Sequence, residues 1–394
     1  MKRRQLLQSC AALPLSAAAT HLWAAPSTQT RLLLVFLRGG YDAANLLIPT
    51  SSQFYYEARP NIAVPRPGSD QASALPLNAD WGLHPALRDS ILPLYSAGQA
   101  AFVPFAGTHD VSRSHFETQD SVELGQPLEG SRNYRSGFLN RLASTLGSDS
   151  AMSFTDQLPL VMQGDLRVPN VALRSLAKPS LDARQSRIIS TMYRDTPLKS
   201  QVDQGFSVRD EVLRELGAEM NKANRNAISA KGFELEAQRM ATLMKDKYNI
   251  GFVDVGGWDT HVTQGGASGY LAGRLDELGR GLASFAREMK SAWRDTITIV
   301  VSEFGRTLRE NGNRGTDHGH GTVYWVLGGG IRGGQVLGEQ LPVRAGTLFQ
   351  NRDYPVLNEY RSVLGGLFSR IYGLDAGQLE HIFPNAKASD LGLV

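Results

Sequence analysis

The sequence predicts an α/β fold built on a mostly parallel central sheet flanked by helices. Three observations predict it. Residues Arg31 to Leu37 form a continuous apolar run that breaks into Arg38-Gly39-Gly40-Tyr41-Asp42, the pattern of a strand buried on both faces that ends in a loop. Similar short runs, each followed by polar or glycine-rich residues, recur at 100–105, 158–162, 250–255, 296–301 and 322–327. Between two of these, Leu271, Leu275, Leu278, Leu282, Phe285, Met289 and Trp293 recur at steps of three and four, which places them on one face of a helix from about Ser268 to Arg294. Strand, helix and following strand make a βαβ unit, and such units favour parallel pairing.

At 394 residues, with 42% hydrophobic and 20% charged side chains, the chain can bury a sizeable core and is too apolar to be disordered. Residues 208–247 are also helical in pattern, with Val208, Val212, Leu213, Leu216 and Met220 on one side. Residues 125–205 are richer in Ser, Arg, Asp and Gln and are expected to form an insertion or cap on a single domain spanning 25–394.

The N-terminus has the form of an export signal. Lys2, Arg3 and Arg4 are followed by an apolar stretch from Cys10 to Ala19 and a small-residue end, with cleavage expected after Ala24. Lys2-Arg3-Arg4-Gln5-Leu6-Leu7 resembles the twin-arginine pattern, which implies a folded protein handed to the twin-arginine translocase and a periplasmic or secreted product. Cys10 leaves with residues 1–24, so disulfides and thiolate ligands are excluded from the mature chain. Without Lys2, Arg3 and Arg4, basic and acidic residues balance, which argues against nucleic acid as a partner; no later stretch has the length of a stable membrane span.

Candidate chemistry gathers at the predicted strand ends. His109 and His115 follow one strand, Asp259 and His261 follow another, Glu303 and Arg306 end a third, and His318 and His320 precede a fourth; Asp42 follows the first. Carboxyl ends of parallel strands form the ligand crevice of such folds, so groups distant in sequence can converge there. Carboxylate oxygen with imidazole nitrogen, without sulfur, suits one or two divalent ions, zinc or manganese. Ser114 stands just before an apparent helix start, where it can act as a nucleophile or, with Glu117 three residues on, simply cap the helix; Ser112 is the other candidate. A Gly-x-Ser-x-Gly elbow is missing, and Gly328-Gly329-Gly330-Ile331-Arg332-Gly333 reads as a turn.

Phe36-Leu37-Arg38-Gly39-Gly40-Tyr41-Asp42, Arg113-Ser114-His115-Phe116, Gly257-Trp258-Asp259-Thr260-His261, Ser302-Glu303-Phe304-Gly305-Arg306-Thr307 and Asp317-His318-Gly319, with the twin-arginine start, resemble the family catalogued as domain of unknown function 1501. That family is grouped with the alkaline phosphatase and sulfatase superfamily, which implies a three-layer, alkaline-phosphatase-like α/β sandwich with two metals. The resemblance implies one ion on Asp259, His261 and His318 and another on Asp42, Glu303 and Ser114, with Ser114 as nucleophile and Arg306 or Arg38 stabilising developing charge. This sequence departs from the pattern at three points. Asp259 and His261 are separated by one residue where three are usual, Glu303 replaces an aspartate, and Phe304 occupies a histidine position, so that either His320 or His115 replaces that ligand or the second site is weakened or empty. The expected activity is hydrolysis of a phosphate or sulfate ester, small or polymeric; the alternative is an exported binding or assembly protein on the same fold with one metal or none.

Overall fold

The computed structural model describes residues 30–173, 183–207 and 232–394. The signal segment 1–24 and the helical pattern at Val208, Val212, Leu213, Leu216 and Met220 lie outside the described residues. The strands are β1 (Arg31–Leu37), β2 (Leu47–Pro49), β3 (Leu75–Pro76), β4 (Trp81–Leu83), β5 (Ala100–Gly107), β6 (Ala151–Ser153), β7 (Ile250–Val255), β8 (Thr296–Ser302), β9 (Thr322–Gly328), β10 (Gln335–Val336) and β11 (Asn358–Glu359). Eight of them form the central sheet in the order β10-β5-β9-β8-β1-β7-β6, with β11 beside β5; β2, β4 and β3 form a small antiparallel sheet. Pairing is parallel except on the two sides of β9.

Alternation along β1 explains its unbroken apolar run. Leu33, Val35 and Leu37 enter one core, which holds the helices Phe233–Asp246 and Tyr270–Met289, while Leu32, Leu34 and Phe36 enter the other, with the helices Phe138–Thr145 and Tyr360–Tyr372. The sheet is therefore the middle of three layers. The predicted βαβ unit is present: Tyr270–Met289 connects β7 to β8, and these two strands flank β1 in parallel register. Its α-helical part stops at Met289, because Lys290 adopts a left-handed φ of 53° and the chain continues as a 3-10 turn over Lys290–Asp295 that buries Trp293.

The run at 158–162 is not a strand. Pro159 begins a 3-10 turn, Leu160–Met162, and its backbone is satisfied by side chains, with Val161 N–H donating to Glu123 and the Asn140 amide donating to the Met162 carbonyl. The strand of that region is β6, so part of the 125–205 stretch completes the sheet edge beside β7.

Candidate metal centre

Topology brings the polar clusters together. Leu37, Val255 and Ser302 are neighbours across β1, β7 and β8, so the loops that begin at Arg38, Gly256 and Glu303 leave the sheet side by side. β9 runs antiparallel to β8 and β5, so its start, preceded by His318 and His320, lies at the edge where β5 ends. Strand direction thus explains why one cluster precedes its strand while the others follow theirs.

Two glycines and one arginine lock these loops. Gly40 has a φ of 60°, and a Cβ there would lie 2.4 Å from the Phe304 ring; a Cβ on Gly39 would lie 2.8 Å from the Asp259 nitrogen. Arg306, with its side chain 0% exposed, donates to the carbonyls of Gly39, Gly40, Trp258 and Thr316 and to the Asp259 carboxylate. One guanidinium therefore ties the loops after β1 and β7 to the segment before β9. Its donors are directed at protein oxygens, apart from a long 3.5 Å approach of NH1 to His261 Nε2, so the structure makes Arg306 a brace rather than a receptor for developing charge.

Three imidazoles and one carboxylate converge above this brace. His115 Nε2 and His318 Nε2 are 2.9 Å apart, and His261 Nε2 is 3.1 Å from His318 Nε2. Asp259 reaches all three, at 2.9 Å from His261, 3.3 Å from His318 and 3.5 Å from His115. Each outer nitrogen faces an acceptor: His318 Nδ1 lies 3.0 Å from the Arg113 carbonyl, His115 Nδ1 2.8 Å from Glu303 and His261 Nδ1 3.3 Å from Asp317. A carbonyl can only accept, and the carboxylates accept when ionised, so Nδ1 carries the proton in each ring and Nε2 presents a lone pair inward. Neutral rings with lone pairs facing at such distances repel unless a proton or cation lies between them.

The hydrogen bond to Glu303 raises the His115 pKa, which favours a second proton on that ring at the Nε2 facing His318, whereas burial and the neighbouring His115 lower the pKa of His318. Burial works against the ionised forms of Asp259 and Glu303, yet both pKa values are held down, the first by Arg306 and the histidines, the second by donors from His115, Gln119 and the Gly39 N–H. Phe304, unable to ligate, is buried with its ring centroid 4.9 Å from that of His115 and 5.1 Å from that of His318, forming an aromatic floor under two of the imidazoles.

Of the groups singled out in the sequence, Asp259, His261 and His318 meet, and His115 joins them. His320 does not: it is buried against Phe349, and burial lowers its pKa to about 4. The proposed second set does not assemble into a site of its own. Asp42 is 1% exposed and its carboxylate is gripped by Arg59 at 2.5 and 2.9 Å and by the Gln264 amide at 2.6 Å. Glu303 Oε1 accepts from His115 (through Nδ1), Gln119 and the Gly39 N–H, while Oε2 accepts from Ser302, so Glu303 orients a ring and has no oxygen free of donors. Arg38 is held by Glu123 at 2.8 Å and Asp254 at 2.6 Å. Ser114 is the N-cap of the helix His115–Leu124, but its hydroxyl makes no capping bond, so the Ser114–Glu117 capping box does not form. The partners that sequence reasoning missed are Arg59, Gln264 and Asp317. No spacing rule links Arg59 to Asp42, whereas Asp317, adjacent to His318, could have been weighed.

Set beside known proteins, the chain is similar to the crystal structure of Ps i-CgsB in complex with k-i-k-neocarrahexaose, with a TM-score of 0.35 at 11% identity over 89% of this chain and 73% of that one. It is similar to Ps i-CgsB alone, with a TM-score of 0.36 at 10% identity over 91% and 74%. A protein in the alkaline phosphatase superfamily from Vibrio parahaemolyticus gives a TM-score of 0.36 at 12% identity over 87% and 66%. No curated protein sequence matches. The family described as "Protein of unknown function (DUF1501)" matches residues 29–383, and the chain belongs to that family.

Proposed function

We propose that the chain is an exported, metal-dependent hydrolase of a phosphate or sulfate ester, with a cation held by His115, His261, His318 and Asp259. The observation that carries the cation site is the set of three imidazoles whose Nδ1 atoms are all committed to acceptors while their Nε2 atoms face one another and Asp259. The donor set fits. The ligand atoms of His115, Asp259 and His318 all lie within 4.8 Å of one another, a spread that ligands about 2.0–2.1 Å from one zinc can span, and His261 stands beside them, 3.1 Å from His318 and 2.9 Å from Asp259. Three nitrogens, an oxygen and no sulfur suit zinc, with manganese the other choice.

When bound, the ion would polarise the ester oxygen and offset charge developing on the transferred group. The protein's share is orientation. Glu303, the Arg113 carbonyl and Asp317 each fix one ring, and Arg306 holds Asp259. Ser114, adjacent to His115 and free of a capping bond, is the nucleophile we assign, with Ser112 as its substitute. Asp259 and His261 are 45% and 40% exposed, which leaves the cluster open to a small or polymeric ester. We assign export to the twin-arginine route, with N-terminal sequencing of the mature product expected to begin at Ala25. Among the described residues no helix is long and apolar enough to cross a membrane.

The test is turnover of aryl phosphates, phosphodiesters and aryl sulfates by chelator-stripped protein reloaded with zinc or manganese. Activity should return with the ion and disappear in Ser114→Ala while metal content stays unchanged. The commitment of Asp42 to Arg59 favours a second reading, an exported binding or assembly protein that keeps one structural ion. A metal-loaded protein inert toward every ester would establish that reading instead.

A further inference from the structure

Building on the cation site proposed above, we infer that the chain holds one cation, and that the buried Arg59 guanidinium is the fixed positive charge beside Asp42 where a second ion would otherwise sit. Arg59 is enclosed completely. Its NH1 lies 2.5 Å from one Asp42 oxygen and its NH2 2.9 Å from the other, so the contact is the bidentate fork that matches a carboxylate in shape and charge. The remaining donors are used as well: Nε reaches the Leu308 carbonyl at 2.6 Å, NH1 the Asn45 side chain at 2.8 Å and NH2 the Thr307 carbonyl at 3.0 Å. A guanidinium bonded on every side has no direction in which to swing away.

The carboxylate is equally saturated. Gln264 donates to Asp42 Oδ2 at 2.6 Å, and its own amide oxygen accepts from Thr260 at 2.9 Å and Thr316 at 3.0 Å, which fixes which end of the amide faces Asp42. For a divalent ion to take Asp42, it would have to displace both Arg59 and Gln264 from a site without solvent. The displaced guanidinium would then be a buried, unpaired charge. Glu303, the other carboxylate of a two-ion arrangement, is held by four donors from His115, Gln119, Gly39 and Ser302. Among the described residues Asp42 belongs to no group of three or more histidine, cysteine or carboxylate side chains close enough to share an ion. His84, the imidazole whose charge Asp42 influences, is committed at both nitrogens to Gly266 and Ala86.

The experiment is metal stoichiometry of the mature chain incubated with excess zinc and desalted, read by elemental analysis, together with X-ray absorption fine structure at the zinc edge. We expect about one zinc per chain in an imidazole-rich shell. That zinc should be kept in the Asp42→Leu/Arg59→Met double variant, which removes the ion pair as a unit, and lost in His318→Ala. About two zincs per chain, or a metal–metal vector at roughly 3.5–4 Å in the wild-type spectrum, would overturn the inference while leaving the hydrolase reading intact. Loss of the single zinc from a folded double variant would overturn it too, by making Asp42 a ligand. Absence of zinc from every preparation would instead refute the cation site itself. The absorption measurement needs no variant, so a double variant that fails to fold still leaves the inference open to refutation.

Discussion

Asp42 and Asp259 leave the same edge of the sheet, one after β1 and the other after β7, and they end in opposite circumstances. Asp42 is sealed from solvent with a guanidinium and an amide on its oxygens. Asp259 is nearly half exposed and faces three imidazoles, its burial cost offset by Arg306 from behind. Position at a strand end makes a carboxylate a candidate for binding a cation. Whether it stays available depends on which donors the rest of the chain delivers to it, and arginine is a strong competitor because it brings both the charge and matching geometry.

The comparison can be broken most severely at Arg59. Arg59→Ala should cost about 3–5 kcal/mol of stability in urea unfolding, because it strands a buried carboxylate, whereas the Asp42→Leu/Arg59→Met pair should cost less, since it strands no charge and leaves only neutral partners such as the Leu308 and Thr307 carbonyls and the Gln264 amide unbonded. An equal loss from both would show that Arg59 acts through packing rather than charge. Next in size is Glu303→Gln, which keeps the shape but weakens the hold on the His115 ring; zinc affinity should fall about 10–100-fold with little change in secondary structure by circular dichroism. Unchanged affinity would mean that Glu303 does not orient His115. Zinc uptake should also weaken on acidification, beginning with His115, whose raised pKa makes it take up a competing proton before His318 does, and competition titrations at several pH values would show it. The smallest effect belongs to Ser114→Ala. With no capping bond to lose, unfolding should move by less than about 0.5 kcal/mol, against about 1 kcal/mol for a working serine cap.

Much of the fold was legible for a simple reason. A strand covered on both faces is mostly apolar along its length, so β1, β5, β7, β8 and β9 stand out as apolar runs broken only by isolated residues such as Asp254 and Thr298, and the helix at Tyr270–Met289 announces itself by its three-and-four spacing. The run at 158–162 misled because a short apolar segment can be buried in a turn as easily as in a sheet. There Glu123 and Asn140 satisfy the backbone in place of a neighbouring strand. The site was half legible. Asp259, His261 and His318 could be gathered from their strand ends, but choosing His115 over His320 required knowing which loop passes over Phe304.

The sequence by itself determined the strand ends, and with them the short list of oxygen and nitrogen groups able to meet at one edge, because apolar patterning and chain direction are local properties. Tertiary structure alone decided how that list divides. Arg59 lies 17 positions from Asp42 and Gln264 lies 222 away, and the pairing of such groups depends on burial and on bond angles that exist only once the loops are packed together.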